Sequence, residues 1–425
     1  MIFQRRFSII QGVPVAIHER DGETLYGEIV LSGGKAFDPE GKEGVSYLLS
    51  SLLYRGCSGK TYEEIIEKLD SMGSSFSVSA STEAITVSFW SLSQYADETI
   101  STIADCLFSP EFSEEELQKQ IERGITELKQ NWDIPEAAAS MIFHRKVFEP
   151  HPYSRQETEK SLRKIRREDL VTKKNETFRK ASAIAVLSGS YKEPDAALGR
   201  LISSLKEGGK KFALPAPEPR KSLEIYFYLK QDAEQTQIRL GHPSFPRKVP
   251  FYEEAIVFNY ILGGGGFSSR LMERVRARGG LTYSIRSSFS PMLYGGLFSI
   301  STFTKPETTA KMIEEITDEV KKTLKEGVSE EEVEKAKGYF LGHFPLGLET
   351  PAQIGSLLSG ILFYGLEEDY PEKFLKKMES LSAARINEVA RDLVKPENFT
   401  IVAVGNERAE KEIKKIGKII KIHPE

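Results

Sequence analysis

Breaking a peptide or ester bond takes either a metal with its ligands or a nucleophile with a base, so the His, Cys, Ser and acidic residues come first. The six histidines stand at positions 18, 144, 151, 242, 343 and 423. None of them forms His-x-x-x-His, the spacing that sets two imidazoles on one face of a helix. The closest pair, His144 and His151, spans a predicted helix end and reads as structural. Cys57 and Cys106 are too few for a disulfide framework or a four-sulfur zinc site, and read as ordinary buried thiols. Ser50 and Ser51 have no histidine on their own segment or next to it in sequence, which leaves a serine nucleophile without a base. The run Gly263, Gly264, Gly265 and Gly266 is not a nucleotide loop, because it follows a predicted helix and lacks the Lys-Ser/Thr ending. It reads either as a helix end and turn, or as bare backbone that an extended peptide can approach closely.

The elements that would position these residues repeat. Ser113-Glu-Glu-Glu-Leu117 recurs 216 residues later as Ser329-Glu-Glu-Glu-Val333, each a Ser followed three positions on by Glu, the capping box that opens a helix. The same offset carries Pro135 onto Pro351, and Ile184-Ala-Val-Leu-Ser-Gly189 onto Thr400-Ile-Val-Ala-Val-Gly405. Three unrelated features at one offset imply a duplicated domain of about 210 residues. Between the copies, after a Gly/Lys run, Leu214-Pro-Ala-Pro-Glu-Pro-Arg220 has the composition of an extended linker. The expected organisation is a domain over 1–213, a linker over 214–220 and a domain over 221–425.

Alternating strands are expected at Val13 to Ile17, Tyr26 to Leu31, Ile85 to Trp90, Leu223 to Leu229, Gln237 to Leu240 and Leu297 to Thr302. The stretch from Met1 to Val15 reads as a first strand, since Gln11, Gly12 and Pro14 interrupt any leader-like apolar run. Val45, Leu48, Leu49, Leu52 and Leu53 form the i, i+3, i+4, i+7, i+8 stripe of a helix with one face buried, and Tyr47, Ser50, Ser51 and Tyr54 lie on its other face. Strands mixed with amphipathic helices give an α+β class of antiparallel sheet covered by helices.

The composition is that of a folded globular chain, with 425 residues, 40% hydrophobic and 28% charged. A formal charge of −4, from 58 Lys+Arg against 62 Asp+Glu, supplies no basic field for a nucleic acid. No stretch approaches the ~20 apolar residues of a membrane span. The expected placement is cytoplasmic, or periplasmic if a leader has been removed from the chain.

Gly44-Val-Ser-Tyr47-Leu-Leu-Ser50-Ser51-Leu-Leu-Tyr-Arg-Gly56 resembles the zinc-helix segment of the M16 metallopeptidase family, which includes pitrilysin, insulysin and the mitochondrial processing peptidases. The family carries H-x-x-E-H there. The resemblance places its three residues at Tyr47, Ser50 and Ser51, all replaced, and its third ligand at Glu127. In the second half, Leu262-Gly-Gly-Gly-Gly266-Phe-Ser-Ser-Arg-Leu271 and the following stretch resemble the family's L-G-G-G-x-S-S-R-L and L-R-E-x-x-G-L-x-Y. The resemblance assigns to Arg276 and Tyr283 the Arg and Tyr that bind the substrate carbonyl, a role suited to a guanidinium and a phenol where negative charge develops.

A degenerate metal helix beside a retained Arg/Tyr pair is similar to the non-catalytic subunit of a heterodimeric M16B peptidase. That implies two tandem domains of the M16/LuxS-like metallohydrolase fold and no zinc or independent activity in this chain. It also implies a catalytic M16B partner that carries H-x-x-E-H and zinc, and peptide substrates contacted by Gly263 to Gly266. Apart from the resemblance, two apolar sheet faces to bury make a homodimer plausible where the partner is absent. The alternative is a structural scaffold of the core-protein type with no catalytic role.

Overall fold

The computed structural model describes residues 2–209 and 212–424. Met1, at the start of the stretch expected as the first strand, and Lys210 and Lys211 of the Gly/Lys run lie outside them. The backbone divides into two compact units. One is Met1–Leu128, Arg155–Ala213 and Phe344–Glu372; the other is Lys129–Ser154, Leu214–His343 and Lys373–Glu425. Each unit therefore takes one segment from the far side of the 214–220 stretch.

The first unit is built on six strands: β1 (Arg6–Ile10), β2 (Val13–Glu19), β3 (Thr24–Ser32), β4 (Ser75–Ala80), β5 (Ala84–Leu92) and β6 (Ala183–Gly189), in the order β1-β2-β6-β3-β5-β4. The second has β7 (Glu224–Leu229), β8 (Thr236–Ser244), β9 (Ile285–Pro291), β10 (Gly296–Thr304), β11 (Thr400–Gly405) and β12 (Ile419–Ile422), in the order β12-β7-β11-β8-β10-β9. The two orders correspond strand for strand, and β1 and β12 fill the same edge from opposite ends of the chain.

Two details differ from the sequence expectation. The stretch read as one strand up to Val15 is a hairpin, because Gln11 and Gly12 take positive φ (49° and 84°) and turn β1 back onto β2. The sheets are also mixed: β2 runs parallel to β6, and β7 parallel to both β11 and β12. A strand inserted beside one that is distant in sequence arrives through helical crossovers, which deliver parallel pairs as readily as antiparallel ones.

On the inner strands side-chain alternation sends residues to two covered faces, whereas the edge strand β4 alternates half-buried with exposed residues. On β2 and β6, Val15, Ile17, Ala185 and Leu187 join the core with Leu48, Leu49 and Leu52 of the Val45–Leu52 helix. Their neighbours Ala16 and Val186 point the other way and pack with Ile354, Leu358 and Ile361 of the Pro351–Phe363 helix. In the second unit the Pro135–Phe148 helix lies against β8 and β11. These two helices are the ones begun by the repeat-related prolines Pro135 and Pro351. Each serves the sheet of the other half of the sequence.

Candidate functional site

The Val45–Leu52 helix is fixed at its start by an aspartate from outside it. Asp38 accepts hydrogen bonds from the backbone N–H of Gly44 (2.9 Å) and Ser46 (3.1 Å) and from the Ser46 hydroxyl. A carboxylate there satisfies helix N–H groups that otherwise lack partners. Asp38 is buried and pairs with the equally buried Lys173, at 3.2 Å. Burial draws the Lys173 ammonium below its ordinary value despite Asp38. Arg155 adds hydrogen bonds to the carbonyls of Ala36 (3.1 Å) and Asp38 (2.9 Å).

At the positions assigned by resemblance to metal ligands, the side chains are tied to one another and to their own helix. Tyr47 donates to Oε2 of Glu127 at 2.9 Å, while Arg123 donates to Oε1 at 2.9 Å. Burial, then the hydrogen bond to Glu127 and its charge, push the Tyr47 phenol up to about 12, so at neutral pH it is a donor. The Tyr47 ring lies over Gly124, one helical turn before Glu127. A Cβ at 124 would stand 3.0 Å from the ring's Cε1. Ser50 and Ser51 both donate to the Tyr47 carbonyl, at 2.8 and 3.0 Å, the back-bonding of hydroxyls within a helix. No group of three or more His, Cys, Asp or Glu among the described residues is placed to hold a metal ion. Tyr47 and Glu127 are thus brought together, as a phenol–carboxylate–guanidinium chain with no base beside Ser50 or Ser51.

In the second unit the glycine run ends the Tyr252–Asn259 helix in a wide turn over Tyr260–Gly264. Three of its glycines are required by close packing: a Cβ would meet Ser287 at position 263, Asn259 at 264 and the Tyr260 carbonyl at 265. The Asn259 side chain and Ser287 hydrogen-bond reciprocally, which locks the turn to β9. Gly266 takes φ of +61° and has open space on its side-chain face, leaving it the glycine with room beside it.

The arginines that follow divide sharply. Arg270 is bidentate to Glu332 at 2.7 and 2.6 Å, Arg274 pairs with Glu315 and Glu319, and Arg278 with Glu273. Arg276 has no carboxylate among the described residues. Its guanidinium lies 4.4 Å from the centre of the Phe267 ring, a cation–π contact that leaves its N–H donors free. Phe267 is 78% exposed and Tyr283 is 79% exposed, and the Tyr283 hydroxyl has no hydrogen-bond partner among the described residues. The chain therefore presents an unpaired cation and a free phenol on either side of the Gly279-Gly280 turn.

Sequence reasoning missed Asp38, Lys173, Gly124 and Phe267. An exposed aromatic inside a Gly/Ser turn was a signal for Phe267, and a glycine in mid-helix was one for Gly124. No helix among the described residues is long and apolar enough to cross a membrane.

Comparison with known proteins gives this geometry a family context. Residues 15–159 match the model described as Insulinase (Peptidase family M16), and residues 164–339 the one described as Peptidase M16 inactive domain. A Helicobacter pylori protein named Non-peptidase homolog YmxG is 27% identical over 413 residues, covering 94% of this chain and 93% of that protein. An Uncharacterized zinc protease of Rickettsia bellii is 26% identical over 330 residues, covering 76% and 78%. Among solved structures, the peptidase M16 inactive domain from Pseudomonas fluorescens superposes with a TM-score of 0.90 at 23% identity, covering 95% of this chain and 98% of that one. A Helicobacter pylori protease superposes at 0.86 with 16% identity, covering 94% and 99%. At such identities the structural matches speak to the fold.

Proposed function

We propose that this chain, which belongs to the M16 peptidase family, acts as a non-catalytic, peptide-binding subunit. In this reading it completes the active site of a zinc-bearing partner that carries H-x-x-E-H. The observation that carries the reading is the contrast between its two halves. At the metal-helix positions every polar group is consumed internally: Tyr47 and Arg123 hold Glu127, and both serines turn back onto their helix. Arg276 is half-buried against the Phe267 ring with no carboxylate among the described residues, and Tyr283 is exposed with its hydroxyl uncommitted, beside arginines that are paired with carboxylates. A guanidinium held by an aromatic face and not by a carboxylate keeps its fork of N–H donors for another acceptor.

The chemistry follows from these groups. A peptide carbonyl gains negative charge on oxygen when water attacks its carbon, and a guanidinium with a phenolic O–H presented to that oxygen stabilises the charge. Neither group needs to move a proton, so the chain contributes to the transition state without supplying the nucleophile. Gly266, with open space on its side-chain face, is where an extended peptide backbone would pass closest to this unit.

The test mixes the purified chain with a co-encoded homologue that carries H-x-x-E-H and follows peptide hydrolysis. The expected result is inert separate chains and an active mixture that loses about 10²- to 10³-fold on Arg276→Ala, the scale of removing one oxyanion donor. Activity in the mixture that is indifferent to Arg276→Ala and Tyr283→Phe together would overturn the reading in favour of a scaffold. Hydrolysis by this chain alone would overturn it in favour of an enzyme.

A further inference from the structure

The two cysteines are not isolated buried thiols. Their sulfurs are 2.8 Å apart, in a satellite core with Ile65, Leu69 and Met72, although 49 residues separate them in sequence. Backbone bonds hold the two sides in place. Cys57 bridges Lys60 and Pro110, Ser58 N–H donates to the Ser109 carbonyl at 3.2 Å, and Glu111 N–H donates to the Gly56 carbonyl at 3.0 Å. Cys106 is on the last turns of the Ala96–Phe108 helix, just before that strip. A disulfide needs the sulfurs at about 2.05 Å, so closure asks for a shift of under about 1 Å between segments already joined.

We propose that Cys57 and Cys106 are a redox-active pair that closes reversibly into an intrachain disulfide under peroxide. One sulfur, as thiolate, attacks a peroxide oxygen, breaking the O–O bond, releasing water and becoming a sulfenic acid. The second sulfur then attacks it, forming the S–S bond and expelling the hydroxyl as a second water. Two thiols are oxidised by two electrons in all, one peroxide is reduced, and the two thiol protons leave in the waters. The sulfur–sulfur hydrogen bond favours a thiolate on one member of the pair, with the other thiol as its donor. Both residues are almost wholly buried, at 1% and 0% exposure, so peroxide and small reductants reach them through local opening of this layer. The bond would close a loop that contains the Tyr62–Ser71 helix and the β4–β5 hairpin, stapling that layer to the Ala96–Phe108 helix.

The experiment treats the native full chain with hydrogen peroxide, quenches it in acid, and alkylates it in denaturant before intact-mass and peptide analysis. The expected product is a monomer about 2 Da lighter than the reduced chain, with no alkylation and a Cys57–Cys106 linked peptide. Its Tm should lie above that of the reduced chain and return on adding dithiothreitol, and Cys57→Ser should lose both effects. Full alkylation of both residues after native oxidation, sulfinic acid without the linked peptide, or links only between chains would each overturn the proposal. The wild-type chain alone decides this, so the outcome does not depend on how well the variant folds.

Discussion

The phenol of Tyr47 donates a 2.9 Å hydrogen bond to the carboxylate of Glu127, 80 residues further along the chain. One is on the Val45–Leu52 helix and the other on the Glu114–Asp133 helix, and the small Gly124 lets the tyrosine ring cross between them. The end of side chain 47 thus already reaches the group at 127. What separates this arrangement from a metal centre is the chemistry of the side chains, since a protonated phenol donates where an imidazole would accept.

If the backbone supplies that proximity, restoring the ligands should restore binding. The variant Tyr47→His, Ser50→Glu, Ser51→His is expected to retain about one zinc ion per chain after dialysis, with three protein ligands and an open position. Adding Glu127→Ala to it should remove the ion. Metal analysis that finds no zinc in the triple variant, with circular dichroism showing it folded, would mean that helix spacing here is wrong for the metal.

The helix that carries Tyr47 depends on Asp38. Removing that carboxylate strips the helix N-terminus of its acceptor and leaves the buried Lys173 with the Gly34 carbonyl but without its paired carboxylate, so Asp38→Ala should cost about 3–5 kcal/mol in urea unfolding. Lys173→Met removes the cation instead and leaves Asp38 with its three donors from Gly44 and Ser46, for a cost of about 1–2 kcal/mol. Equal losses in the two variants would show that the ion pair, and not the cap, dominates.

Much of this arrangement is legible in the sequence. The 216-residue offset, the stripe of the Val45–Leu52 helix and the alternation of the strands follow from local periodicity, which one face of burial enforces. The link between Tyr47 and Glu127 came from counting along a resemblance. What local pattern could not reveal is that the helices begun at Pro135 and Pro351 each join the sheet of the other half, since either apolar face would satisfy either sheet. Phe267 escaped notice for a related reason: an exposed aromatic in a glycine turn has no period, and its purpose appears only when Arg276 is seen lying on it.

The pairing of Arg270 with Glu332 makes a pH prediction. Burial alone would raise the Glu332 carboxyl, but the hydrogen bonds from Arg270 and from Ser329 outweigh it and hold it at about 2, against 4.5 for an ordinary Glu. A carboxyl depressed in the folded state stabilises fully above about pH 4.5, and that contribution is lost as pH falls toward 2. Glu332→Gln is therefore expected to lower stability at pH 7 by about 1–2 kcal/mol, allowing for partial exposure of the pair. The difference between the variant and the wild type should shrink steadily from pH 5 to about pH 2 in thermal unfolding. A difference that stays constant across that range would place the stabilisation in packing and not in charge.

Phe267 should act on the Arg276 guanidinium through its position and not through its charge. A partly exposed cation–π contact is worth about 0.5–1 kcal/mol, so on the proposed function Phe267→Ala should lower kcat/KM of the chain mixed with an H-x-x-E-H homologue by roughly 2- to 5-fold. Phe267→Tyr keeps a ring face under Arg276 and should restore most of that loss, whereas Phe267→Leu keeps bulk without a π face and should not. The same series measured on an Arg276→Ala background should be flat, because the ring then has no cation to hold. If Phe267→Ala still reduces activity there, the ring contacts substrate directly, and the effect would then follow the apolar character of the peptide and not the presence of Arg276.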